Sequence, residues 1–198
     1  MKKLLILIPV ILIAFAGCTM LNPAIVDHYD TVVGPFEGAI YERGVTEGDL
    51  GSGFVFYDTG GDDTTMSGTG EILDMYFDDT TVGYTLSLVS PDDDNYTIVD
   101  PDKTPKETRF AAAGDILKDD VGTAGTVITA PSMTAGKVTV EADGWYWINL
   151  DNSTDVPSNR DTEYVLLHVI SISDNDSRLD FEFWCQTDGT EYFGEEQE

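Results

Sequence analysis

Residues 164–187 read YVLLHVISISDNDSRLDFEFWCQT, and the second half of this stretch alternates. Leu179, Phe181, Phe183 and Cys185 fall at every other position, with Asp180, Glu182, Trp184 and Gln186 between them. Successive side chains of a strand point to opposite faces, so this is a strand with one face in a core, and Cys185 belongs to that core. The first half is apolar on both faces as far as Ser171, as expected of a strand covered on both sides. The polar run SDNDS, 173–177, joins the two as a hairpin loop. A doubly covered strand beside a half-buried one requires a second layer. The fold class that follows is all-β, an antiparallel two-sheet, β-sandwich-like domain with little helix.

Upstream, strand-like runs recur at 39–42, 53–57, 71–77, 82–89, 96–99, 126–130, 138–142 and 145–150. Turn-rich clusters separate them, among them DTGGDD at 58–63 and SPDDDN at 90–95. FAAAGDILK, 110–118, is the one plausible helical turn, weakened by Gly114. The composition agrees with this reading. Acidic residues number 37 against 10 Lys and Arg, for a formal charge of −27, and 25 of the acids are Asp, which favours turns over helices. Strongly acidic chains can be disordered, but 41% apolar and 11% aromatic residues spread along the chain favour a packed core. So negative a chain repels nucleic acid, which removes nucleic-acid binding as a function.

The amino terminus carries a different message. Lys2 and Lys3 precede the uncharged run Leu4–Phe15, and small residues follow. This is the layout of a secretory signal peptide, with an apolar run shorter than the roughly 20 residues a membrane span needs. The stretch Phe15-Ala16-Gly17-Cys18 resembles a bacterial lipobox, with Phe15 standing where an aliphatic residue is usual. The resemblance implies cleavage before Cys18 and lipidation of its thiol, giving a stable anchor in the lipid bilayer of the cell envelope. Thr19, rather than Asp, after the cysteine resembles sorting to the outer membrane. The expected organisation is therefore a signal peptide over 1–17, a lipidated tether over 18–35 and one β-domain over 36–198. With Cys18 lipidated, Cys185 has no partner in the chain and should be an inert buried thiol.

The carboxyl-terminal strands also resemble those of a known family. Tyr164, Leu167, Phe181, Phe183, Gln186, Asp188, Gly189 and Phe193 are similar in type and order to the closing strands of the HmuY-like haem-scavenging lipoproteins. LDMYFDD, 73–79, is similar to an upstream strand of that family, whereas Asp161 is followed by Thr162 where the family has Gly. The resemblance covers about the last third of the chain well. It implies an all-β lipoprotein domain acting as a non-enzymatic binding or scaffold module, with haem as the candidate ligand.

Haem iron in that family is held by two side chains. Of the two histidines, His28 lies in the tether and His168 in a strand, so His168 is the candidate ligand, with Met66, Met75 or Met133 as possible partners. A histidine on a largely apolar face is as readily a core or rim residue satisfied by a hydrogen bond. Calcium is the second candidate cofactor. Asp174 and Asp176 have the alternate spacing of a calcium loop, with Asp180 nearby, but the later Gly and bidentate Glu of an EF-hand are missing and Arg178 sits within the cluster. Solvated turns explain these Asp residues equally simply. A calcium-stabilised adhesion or glycan-binding sandwich is thus the alternative function. For glycan contact the candidates are Trp145 and Trp147 on one strand face, and Trp184, which its polar strand neighbours make either an exposed surface contact or a residue covered by another segment. Enzymatic chemistry lacks support: there is no G-x-S-x-G elbow, Cys185 points into the core, and no carboxylate pair stands out.

Overall fold

The structure is a computed structural model that describes residues 29–43, 51–57, 60–64, 73–78, 86–92, 106–150, 163–173 and 178–195. Ten strands lie among them: β1 (Val32–Tyr41), β2 (Gly53–Tyr57), β3 (Gly60–Thr64), β4 (Met75–Asp78), β5 (Ser87–Val89), β6 (Arg109–Ala112), β7 (Lys137–Thr139), β8 (Trp145–Asn149), β9 (Tyr164–Ser173) and β10 (Arg178–Gln186). They form two five-stranded sheets, β1-β10-β9-β8-β6 and β3-β2-β4-β5-β7. Every strand pairing is antiparallel. The chain is an all-β, two-sheet sandwich.

The quoted stretch forms the hairpin at the centre of the first sheet. Leu179, Phe181, Phe183 and Cys185 of β10 face the second sheet and are fully buried. Val165, Leu167 and Val169 of β9 and Tyr146 and Ile148 of β8 face the same way. The second sheet answers with Phe54, Phe56, Met75, Phe77 and Leu88. Phe54 meets Phe56 and Phe181 edge-on at 5.0 Å and Phe183 at 5.6 Å. Edge-to-face contact sets the positive ring edge against the negative face of its neighbour, so these rings lock the sheets in register as well as fill space. Gly38 stands opposite Phe181 in the β1–β10 ladder. A Cβ there would lie 2.5 Å from the Phe181 ring, so the position has no room for a side chain. Cys185 is a buried thiol whose Sγ lies 3.6 Å from the Tyr57 carbonyl oxygen.

One ion pair is sealed inside. The Lys106 Nζ lies 3.0 Å from Asp74 Oδ1, and neither side chain is exposed. The other Asp74 oxygen accepts the Phe56 backbone N–H at 2.8 Å. The pair ties the chain entering β6 to the junction of β2 and β4.

Several expectations are corrected. Residues 110–112 are not helical: Phe110 is buried and β6 pairs with β8, because ladder bonds and burial of Phe110 outweigh the local preference of three alanines. Within 110–120 the one helical turn is Lys118–Asp120, of the 3-10 type. Residues 60–63, expected within a turn, lie in β3 against β2. Residues 126–130 do not form a strand of either sheet, although Thr129 bridges Tyr192. Residues 32–35, expected within the tether, lie in β1, which pairs with β10. The expected signal peptide, Cys18, His28, Met66 and the expected strand at 96–99 lie outside the described residues.

Candidate functional site

The outward face of the first sheet is where polar and aromatic groups converge. In β8, β9 and β10 the residues alternate with those of the core, so two cross-strand rows form on this face. Trp145, His168 and Glu182 stand side by side in one row, and Trp147, Leu166 and Trp184 in the next. The His168 ring stacks on Trp145 at 4.4 Å, and Trp145 stacks in turn on Trp184 at 5.4 Å.

Each His168 nitrogen has a carboxylate. Nδ1 is 2.9 Å from Glu182 Oε1, and Nε2 is 3.0 Å from Asp143 Oδ1. Asp143 reaches this position from the turn before β8, where its φ of 64° is left-handed, a region Asp tolerates better than most residues. The second Glu182 oxygen accepts from Lys118 Nζ, which also lies 5.8 Å from the Trp184 ring. Burial alone would raise the Glu182 pKa, but the hydrogen bonds and charges of Lys118 and His168 together hold it below the usual carboxylate range.

Two segments cover the rows. The chain from 113 to 136 crosses the face, with Ile116, Val121, Ile128 and Met133 packed on the tryptophans, and Phe193 of the carboxyl-terminal stretch lies edge-on to Trp147 at 5.1 Å. The two segments bond to each other: the N–H groups of Phe193, Ala130 and Glu195 donate to the carbonyls of Ile128, Glu191 and Thr126. Gln186, Asp188 and Gly189 shape the turn leading there. The Gln186 amide donates to the Tyr192 carbonyl, Asp188 Oδ1 accepts from the Thr190 N–H at 2.9 Å, and Gly189 has a φ of 77°.

The covering chain is not flush. Along 127–130, Ile128 and Ala130 turn inward while Val127 and Thr129 turn out. Leu117 and Val127 are 70% and 47% exposed, and Ile170 is the other large apolar side chain exposed among the described residues. Leu117 and Val127 both line a groove of about 430 Å³, which has Trp147 in its lining and Asp115 and Asp120 on the same wall as Leu117. Its size falls within the ordinary range of small-ligand sites.

The expected site residues fare differently. His168 sits on this face, but an iron would have to displace a carboxylate from one of its nitrogens. Met75 is buried in the core between the sheets, away from this face, and Met133 belongs to the covering chain that packs on the tryptophan cluster. Trp184 is corrected from a surface contact to a covered residue, 4% exposed, and Trp145 and Trp147 are likewise covered. Asp174 and Asp176 lie outside the described residues. Asp180 accepts from the Arg178 guanidinium at 2.7 Å and from Ser171 Oγ at 3.1 Å. Among the described residues no group of three or more His, Cys, Asp or Glu is placed to hold a metal ion, since His168 keeps Glu182 and Asp143 on opposite sides of its ring.

Comparison with known proteins found no matching family model, no matching curated protein and no matching solved structure. The residues that sequence reasoning missed are Lys118, Asp143, Leu117 and Val127. Lys118 had one signal: with 10 cations among 37 acids, each lysine has many carboxylates to choose from. Leu117 and Val127 carried none, because an isolated apolar residue in a loop is common.

Proposed function

We propose that this chain is an exported, lipid-anchored module without catalytic activity, and that it takes its ligand or partner in the groove lined by Trp147, Leu117 and Val127. The anchoring half rests on the lipobox-like Phe15-Ala16-Gly17-Cys18 behind a signal-peptide pattern, with Thr19 favouring the outer membrane. The observation that carries the binding half is the pairing of exposure with concavity: two of the three exposed large apolar side chains among the described residues line one groove. Apolar side chains left in water beside a cavity are a common mark of a contact site.

A non-catalytic role fits the chemistry of the same face. The Cys185 thiol is in the core and His168 is engaged by two carboxylates, so neither offers a nucleophile or a free base. Haem is the ligand the family resemblance implies, and it would need His168 released from Glu182 or Asp143. The groove needs no such rearrangement, which is why it carries the proposal.

Expression of the full chain in a bacterial host fed alkynyl palmitate tests the anchoring. Label should enter the protein and fractionate with membranes, and both should be lost in Cys18→Ser. Unlabelled, fully soluble wild-type protein would overturn it. For the groove, an uncharged apolar fluorescent dye such as Nile red should bind the folded protein and lose that binding in Leu117→Ser/Val127→Ser. Dye binding indifferent to the two substitutions would place any contact site elsewhere.

A further inference from the structure

The charges around the groove narrow what it accepts. Asp115 and Asp120 line it, and Asp119 is exposed in the same turn. The cation of that turn, Lys118, is directed away from the groove, toward Glu182 and the Trp184 ring. The apolar surface of Leu117 and Val127 is thus bordered by carboxylates, on a chain whose formal charge is −27. An anionic ligand would be repelled at long range and again at the rim. A flat sugar would seek an open aromatic ring, and Trp147 is only 3% exposed. A chain that alternates cationic and apolar side chains satisfies both features: apolar groups against Leu117 and Val127, ammonium or guanidinium groups against Asp115 and Asp120.

Resting on the reading of this groove as the binding site, we propose that its partner is a free basic, apolar-bearing peptide. The acid-rich surface speeds the encounter, and the exposed Leu117 and Val127 side chains in the otherwise polar groove supply the selectivity among cations. The arrangement also predicts a mixed response to salt, since screening weakens the carboxylate contacts and leaves the apolar ones.

The test uses the lipid-free protein in solution and three fluorescein-labelled hexapeptides: alternating lysine and leucine, lysine alone, and alternating glutamate and leucine. The lysine–leucine peptide should bind, the glutamate–leucine peptide should not, and hexalysine should bind about tenfold more weakly or less. Affinity for the lysine–leucine peptide should fall about tenfold in Leu117→Ser/Val127→Ser and comparably in Asp115→Asn/Asp120→Asn. Asp30→Asn/Glu37→Gln removes two exposed charges at the β1 edge of the sheet and should change affinity by less than about twofold. Equal binding of hexalysine, or equal losses from both carboxylate pairs, would reduce the effect to diffuse attraction and overturn the proposal. No binding of the lysine–leucine peptide would overturn it too. The dye separates the two failures: if it still responds to Leu117→Ser/Val127→Ser, the groove binds something of another class, and if it does not, the groove reading itself falls.

Discussion

Replacing Lys106 with methionine should destabilise the protein far more than the same change at an exposed lysine. The Lys106 and Asp74 side chains are both fully buried, with Nζ 3.0 Å from Oδ1. At that distance the attraction is about 5 kcal/mol for an effective dielectric constant of roughly 20. Removing both charges from water costs a comparable amount, so the intact pair is close to neutral in the balance. Methionine keeps most of the lysine's length and leaves no large void, so packing is a minor loss. The loss comes from the buried Asp74 carboxylate, which is deprived of the Lys106 ammonium, and breaking a buried pair from one side typically costs about 3–5 kcal/mol. The Phe56 N–H at 2.8 Å still bonds to it and holds the loss near the lower end, about 3 kcal/mol. Asp74→Asn should cost a similar amount, because its amide oxygen can keep the Phe56 bond but the buried Lys106 ammonium loses this carboxylate. The double variant removes both charges and should lose only about 1 kcal/mol, a coupling of several kcal/mol. Urea unfolding followed by tryptophan fluorescence gives all four free energies. A loss under about 1 kcal/mol in Lys106→Met, or additive losses in the double variant, would refute the reasoning.

Acid sensitivity should track two carboxylates. Burial alone would raise the pKa of Asp92, but its bonds to Arg109 and Ser90 hold it below the usual range, as Lys118 and His168 do for Glu182. A lowered native pKa gives stability that is present above the unfolded value and lost as pH falls through the native one. Asp92→Asn and Glu182→Gln should each flatten the fall in urea midpoint between about pH 6 and pH 3, and an unchanged slope would count against these contacts. Glu163 has the opposite sign: burial first, then the charge of Glu191, pushes its pKa up. Its favourable contribution is present at low pH and lost as pH rises through the raised value, so Glu191→Gln should stabilise the protein by about 0.5 kcal/mol near pH 7 and by nothing near pH 3. Haemin titrated into the protein should give the same absorbance change with and without His168→Ala, and a shifted Soret band lost in the variant would restore His168 as a ligand.

The sandwich was legible where burial imposes a period. In β10 alternate residues face different environments, so Phe181 and Glu182 declare their faces from sequence alone. Cys185 was placed in the core on the same ground. The pattern fails where pairing overrides local preference. Phe110–Ala112 looks helical because alanine carries little information about its neighbours, and only the β8 partner makes it a strand. The cover was less visible still. Trp184 sits among acids and Gln186, yet the chain at 113–136 buries it, and that chain lacks the regular spacing that announces a sheet-facing segment. The groove follows from the cover, so it could not be read before it. The buried pair was hidden for another reason: Asp74 and Lys106 are 32 residues apart and neither lies in a motif.

The first sheet closes by pairing β1 with β10, so residues as distant as Thr31 and Asp188, 157 positions apart, are hydrogen-bonded neighbours. Synthesis at roughly 5–20 residues per second separates their emergence by about 8 to 30 s. Throughout that interval Val32–Tyr41 has its ladder groups exposed and no strand to take them up, the condition under which edges seek foreign partners. Topology of this kind, dominated by contacts remote in sequence, also sets a slow intrinsic rate. Chains truncated before Leu179 should therefore accumulate as aggregation-prone intermediates rather than as smaller native domains, and a chaperone that holds the amino-terminal strand would raise the yield of the complete chain.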